Sequence, residues 1–149
     1  MEYKITTNSE SETMEIAQNI EADKFPNMII CLYGELGSGK TVFTKGFAQA
    51  LGIEEVITSP TFTIIKEYDA EMPLYHMDLY RLNEMDDSIN IEEYFDKKGV
   101  CIIEWADIIQ DDLPEERLDI KIKIVDEDTR VMIITPYGQK YEELCEGVL

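Results

Sequence analysis

Two kinds of apolar pattern run along the chain. Met28-Ile29-Ile30-Cys31-Leu32-Tyr33 and Val100-Cys101-Ile102-Ile103 are short, nearly unbroken apolar runs. That is the pattern of strands buried on both faces of a parallel sheet. Leu118, Ile120, Ile122 and Ile124 instead alternate with Asp119, Lys121 and Lys123, which predicts a strand with one face in solvent. Helical spacings separate these runs. Met14, Ala17 and Ile20, with Ser9 three residues before Glu12 as a capping box, predict a helix from Glu10 to Ala22. Phe43, Phe47, Ala48 and Leu51 predict a second from Thr41 to Leu51, closed by Gly52. Ile89, Ile91, Tyr94 and Phe95 predict a third from Asp86 to Lys98, closed by Gly99. Tyr3–Thr7, Phe62–Tyr68 and Leu74–Asp78 read as further strands. Arg130 to Thr135 pairs back across Asp126-Glu127-Asp128 as a hairpin, Pro136-Tyr137-Gly138 ends it, and Gln139 to Gly147 forms a short terminal helix. With 149 residues and no repeat, linker or low-complexity tract, residues 1–149 are expected to form a single domain.

Between the first apolar run and the second helix stands Gly34-Glu35-Leu36-Gly37-Ser38-Gly39-Lys40-Thr41. It matches G-x-x-x-x-G-K-[ST] at every fixed position, after a strand and before a helix. Glycines allow successive N–H groups to point inward at phosphate oxygens, and the helix N-terminus adds its positive end. The expected nucleotide contacts are Glu35, Leu36, Gly37, Ser38, Gly39, Lys40, Thr41 and Val42. Lys40 would bridge the β- and γ-phosphates and the Thr41 hydroxyl would ligate Mg²⁺. The fold class follows: α/β, a P-loop NTPase-like central, mostly parallel sheet flanked by helices, with a C-terminal antiparallel hairpin.

Three further positions fit this chemistry. Val56 to Thr63 is rich in hydroxyls and stiffened by Pro60. It lies one helix after the loop, where GTPases carry a switch, so Thr61 is a candidate γ-phosphate sensor; an ordinary loop fits equally well. Asp78 and Glu104 each end an apolar strand at the sheet edge where the loop sits. Such acids hold Mg²⁺ or orient an attacking water. Glu104 is taken for the metal shell and Asp78 for the water, roles that can be exchanged. His76, the single histidine, has no metal or nucleophile partner set; it is structural or orients Asp78. Arg81 either reaches phosphate or, as is commoner, forms a structural salt bridge.

Composition narrows the picture. Asp plus Glu number 32 against 13 Lys plus Arg, a formal net charge of −19. Such a surface is a poor grip for nucleic acid, so strong direct nucleic-acid contact is not expected. It suits a soluble acidic protein or one that docks on a basic partner. No apolar run approaches a membrane span and no signal peptide is visible. Cys31, Cys101 and Cys145 lack paired spacing and read as reduced thiols of a cytoplasmic protein.

Four segments in order resemble the TsaE family, also called YjeE, the small ATPase of tRNA threonylcarbamoyladenosine biosynthesis. They are the Gly34–Thr41 loop, Ser59-Pro60-Thr61-Phe62-Thr63, His76-Met77-Asp78-Leu79-Tyr80-Arg81-Leu82, and Ile103-Glu104-Trp105. The resemblance spans residues 28 to 105, and the last three segments are the distinctive ones. It implies ATP and Mg²⁺ as cofactors and TsaD and TsaB as partner proteins. The implied role is ATP hydrolysis that sustains turnover of that pair, not transfer of the threonylcarbamoyl group. By matching position, Lys40 and Thr41 bind phosphate and metal, Thr61 lies in the switch-like segment, Asp78 and Glu104 are the catalytic acids, and Trp105 sits beside the nucleotide. The residues themselves leave two other readings. One is a small-molecule kinase, weakened by having only Arg81, Arg117 and Arg130 for a lid. The other is a nucleotide-gated binding protein that barely hydrolyses ATP. No Asn-Lys-x-Asp guanine motif is present in the chain.

Overall fold

The structure, a computed structural model, describes residues 2–35, 37–57, 65–79, 91–106 and 113–149. Its strands are β1 (Tyr3–Thr7), β2 (Met28–Tyr33), β3 (Ile65–Tyr68), β4 (Leu74–Asp78), β5 (Val100–Glu104), β6 (Arg117–Ile124) and β7 (Arg130–Tyr137). Its helices are α1 (Glu10–Ala22), α2 (Lys40–Ala50) and α3 (Gln139–Val148), with a 3₁₀ segment at Ile91–Asp96. All seven strands join one sheet in the order β1-β7-β6-β2-β5-β4-β3. The middle four, β6-β2-β5-β4, run parallel; β7 turns back along β6, β1 along β7, and β3 along β4.

The apolar patterns explain this order. β5 is buried along its whole length and β2 at every residue but Tyr33, because apolar layers cover both faces. One layer holds Leu32, Ile102, Leu118 and Ile120 with Phe43 and Phe47 of α2 and Ala17 and Ile20 of α1. The other holds Cys31, Met77, Cys101 and Ile103, with Tyr94, Phe95 and Leu113 against them. β6 alternates instead, Leu118, Ile120 and Ile122 facing the helices while Lys121 and Lys123 are exposed.

Close backbone contact sets α2 against α1: a Cβ on Gly46 would lie 2.7 Å from Met14 Cα and from its carbonyl oxygen. Ser9 caps α1, its hydroxyl accepting from the Glu12 N–H at 3.2 Å, and Glu12 Oε1 accepts from the Asn8 N–H at 3.2 Å. α3 is tied to the sheet through the Tyr141 hydroxyl, which accepts from the Ile29 N–H at 2.9 Å.

Two expectations are corrected. The described part of the predicted helix Asp86–Lys98 is a 3₁₀ segment that stops at Asp96. Tyr94 makes an edge contact with Tyr75, ring centroids 5.2 Å apart, and Lys98 adopts φ 63°, its N–H donating to Asn27 Oδ1 at 2.7 Å. These side contacts override the helical spacing. The hairpin also does not end at Pro136. Pro136 pairs with Leu118 inside β7, beyond Ile134, where β1 stops. On that side β7 is an edge, where a residue without an N–H is tolerated.

Candidate functional site

From Tyr33 the chain turns through Gly34 and Glu35 toward α2. Gly37 and Gly39 have φ of 80° and 115°, a region L side chains avoid, although a Cβ at either would meet nothing within 4 Å. Backbone conformation, not crowding, requires these glycines. At Gly34 the reason is crowding: a Cβ would collide with Ser38 Oγ and lie 2.7 Å from the Ile122 carbonyl oxygen of β6. α2 then starts at Lys40 with Gly39 as an N-cap that offers no side chain, and a helix N-terminus is a favourable place for an anion. Ser38 is 1% exposed, and its hydroxyl has no hydrogen-bond partner among the described residues. Leaving such a group unsatisfied costs about 1–3 kcal/mol. A phosphate oxygen in the loop would satisfy it, so the loop fits the anion that its sequence suggests.

Lys40 is 5% exposed. Its ammonium donates to the Gly34 carbonyl and to the Glu35 carbonyl, the latter at 3.2 Å. It also lies over the Trp105 ring, 4.2 Å from the centroid. Trp105 has φ 59°, and a bulky residue in that region costs on the order of 1–3 kcal/mol. That backbone turn, one residue past β5, accompanies the placement of the indole against the lysine. A desolvated cation–aromatic contact of this kind contributes about 2 kcal/mol.

The two acids sit side by side. Asp78 is the register partner of Glu104, and Glu104 is in turn the partner of Leu32, one residue before the end of β2. Leu32 faces the helical layer, and paired residues of neighbouring strands share a face. Glu104 is 2% exposed and its Oε2 is hydrogen-bonded to Nε2 of the fully buried His76. His76 Nδ1 has no partner among the described residues. So the histidine is joined to Glu104, where the sequence left it structural or an orienter of Asp78. The Leu79 N–H donates to the Glu104 carbonyl at 3.1 Å, which fixes the strand ends to each other.

Sequence reasoning missed Arg130. It opens β7, far from the loop in sequence, yet its Nε donates to the Ser38 carbonyl at 3.0 Å and its Nη2 to the Gly37 carbonyl at 3.2 Å. Nη1 donates to the carbonyls of Asp126, Glu127 and Thr129 in the hairpin turn, at 2.6, 3.3 and 3.1 Å. One guanidinium thus ties the hairpin to the loop. Beside it is a cleft of about 100 Å³, lined by the loop, by Ser9, Glu10 and Thr13 at the start of α1, by Val42, and by Asp128 and Arg130. Nothing in the spacing of these residues announced that they meet.

Thr41 and Val42 lie in the first turn of α2. Leu36, Thr61 and Arg81 lie outside the described residues. Among the described residues no group of three or more His, Cys, Asp or Glu could hold a metal. Magnesium needs no such cage, since it takes one or two protein oxygens beside phosphates and waters. The thiols offer no nucleophile: burial pushes Cys31 well above the ordinary thiol range and Cys101 up to about 12. No helix among the described residues is long and apolar enough to cross a membrane.

Comparison with known proteins decides the family. The family model described as "Threonylcarbamoyl adenosine biosynthesis protein TsaE" matches residues 7–132. The chain belongs to the TsaE family. It is 48% identical over 146 residues to the tRNA threonylcarbamoyladenosine biosynthesis protein TsaE of Bacillus subtilis, covering 97% of this chain and 92% of that one. It is 41% identical to the Treponema pallidum TsaE over 108 residues, 71% of this chain and 80% of that one. The fold agrees: the crystal structure of Bacillus subtilis YdiB superposes with a TM-score of 0.87 at 45% identity, covering 99% of this chain and 94% of that one. This TsaE-family chain is thus placed among tRNA threonylcarbamoyladenosine biosynthesis proteins, with the α/β architecture that its sequence suggested.

Proposed function

We propose that the chain binds and hydrolyses MgATP, slowly alone and faster in a complex with the TsaD and TsaB proteins, in support of threonylcarbamoyladenosine formation on tRNA. One observation carries the reading. The Gly34–Thr41 loop sets a helix start without a side-chain cap and a buried Ser38 hydroxyl that has no partner among the described residues beside a buried lysine. In this reading the triphosphate lies in the loop, and the nucleoside extends toward the cleft of Ser9, Thr13 and Arg130. Thr41 and Glu104 would hold magnesium, which when bound offsets charge on the β- and γ-phosphates.

The chain's own residues do the remainder. Lys40 exchanges carbonyl oxygens for phosphate oxygens, and loop N–H groups take up charge that grows on the γ-phosphate. Trp105 excludes water on one side of the ammonium. Asp78, next to Glu104, is positioned to order the attacking water. Slow unassisted turnover follows from two engagements already present. Glu104 is bonded to His76, and Arg130 is committed to loop and turn carbonyls and so does not stabilise the transferring phosphoryl group.

Calorimetric titration with MgATP, alongside phosphate release with and without TsaD–TsaB, tests this. The unaltered chain should bind and be stimulated by the pair. Lys40→Ala should lose binding and turnover, and undiminished ATPase in that variant refutes the site. Phosphoryl transfer to a small molecule in place of water would select the kinase reading. Binding without stimulated release would select the nucleotide-gated one.

A further inference from the structure

One face of β1, β7 and β6 has no helix of the described residues against it. α1, α2 and α3 share the opposite layer, and the 3₁₀ segment meets β5. Antiparallel register sets Ile133 between Lys4 and Lys121, and Val131 between Thr6 and Lys123. Residues directly opposite across such strands share a face. Lys4, Thr6, Lys121 and Lys123 are exposed, while Val131 and Ile133 are partly so.

The charge of this face is opposite to that of the chain. On this face the basic residues of the three strands are Lys4, Arg117, Lys121 and Lys123, and the one carboxylate is Asp119, in a chain with 32 Asp plus Glu against 13 Lys plus Arg. Asp119 is already ion-paired, Arg117 Nε lying 2.9 Å from its Oδ1. Apolar exposure reaches this face too. Val131 and Ile133 are partly exposed, and Tyr137, the register partner of Arg117, is 41% exposed.

We propose that this face docks a partner protein whose surface presents an apolar centre rimmed by carboxylates. A polyanion such as RNA would match the lysines but not the Val131–Ile133 stripe, and would meet the field of a chain at −19. The proposal rests on the reading above of a partner-assisted ATPase, and it says where the assistance enters. From Lys121 and Lys123 a groove of about 450 Å³ runs past Tyr33 to Gly34 and Glu35. The carbonyls of Gly34 and Glu35 are the ones that hold Lys40. A partner seated on the face therefore touches the rim of the phosphate loop without entering it.

The test pairs the full-length chain with purified TsaD–TsaB as the probe. The double substitution Lys121→Glu, Lys123→Glu should leave melting and unassisted MgATP binding unchanged. It should weaken affinity for the pair by about tenfold or more, through like-charge contact. Raising salt should weaken the unaltered chain's binding more than the variant's. A carbodiimide, which joins lysines to carboxylates in direct contact, should link Lys4, Lys121 or Lys123 to the pair. Wild-type affinity in the variant, or cross-links confined to Lys45 and Lys66, overturns the docking face and leaves the functional reading standing. No binding of the pair by the unaltered chain overturns both. Loss of tRNA binding in the variant, or cross-links between two copies of the chain, would assign the face to RNA or to self-association and overturns the proposal.

Discussion

The sheet has two halves that handle polarity in opposite ways. In the parallel part, β2, β5 and β4 are apolar along their length except for His76, and their carboxylates, Asp78 and Glu104, come at the ends. Where the sheet passes into the antiparallel hairpin, β6 spreads Asp119, Lys121 and Lys123 along one face. A strand covered on both sides has no place for charge except its terminus, so charge collects at one sheet edge beside the loop. A strand covered on one side can carry charge at every second residue. The first arrangement concentrates chemistry at a point; the second spreads a surface suited to contact.

The largest test of this contrast is a matched pair of truncations. Ile102 of β5 is fully buried, whereas Ile124 of β6 is 44% exposed. Ile102→Ala should destabilise the fold by about 2–5 kcal/mol through lost burial and a cavity. Ile124→Ala should stay within about 0.5 kcal/mol. Urea unfolding of both variants decides it; equal losses would mean that the exposed end of β6 is covered after all.

Arg130 is where the halves are fastened, and its removal should come next in size. Its donors hold both the hairpin turn and the carbonyls of Gly37 and Ser38. Arg130→Ala should lose about 1–3 kcal/mol, the range for hydrogen bonds from a charged group. If the loop is the nucleotide site, MgATP affinity should fall with it, because the loop loses its brace. Arg130→Lys should recover little, since an ammonium cannot span the fork. Unchanged nucleotide affinity in a destabilised Arg130→Ala chain would confine the residue to the hairpin. Smaller again is the cap of α1: Ser9→Ala should lose about 1 kcal/mol by thermal melting.

What the sequence revealed tracks the range of the forces involved. α1 was legible to its bounds, Glu10–Ala22, because a capping box and a helical stripe are local. The loop was legible because Gly37 and Gly39 answer a local backbone demand, although the crowding of Gly34 against the Ile122 carbonyl depends on a distant strand. β6 was legible through its period of two. Contacts between distant segments were not. Arg130 on the loop, His76 on Glu104 and the Trp105 ring over Lys40 each depend on strand order or on one unusual φ. The 3₁₀ segment misled because Ile91, Tyr94 and Phe95 carry helical spacing while Tyr75 and Asn27 pull the chain away from it. The lysines of β6 were read as one solvated face; only the pairing with β7 and β1 gathers them around Ile133.

At neutral pH the smallest effect concerns protons held in the doubly covered half. Cys101 lies in β5 with its partners from both neighbouring strands, and burial raises its thiol from the usual 9.0 to about 12. The folded chain therefore keeps a proton that the unfolded chain releases. Its stabilising contribution is fully present below pH 9 and is lost as pH rises from there toward 12. One unit above the unfolded value the loss is about 1.4 kcal/mol. Melts at rising alkaline pH should fall more steeply for the unaltered chain than for Cys101→Ala, whatever the two melt at neutral pH. Cys31, shifted in the same direction by burial, should add to the slope. Ultraviolet thiolate absorbance should appear with unfolding and not before it. With Cys145, raised only to about 11, replaced by alanine, thiolate signal from a chain still folded at pH 10 would mean that water reaches β5, and the parallel half would no longer differ from the antiparallel one in the way its polarity implies.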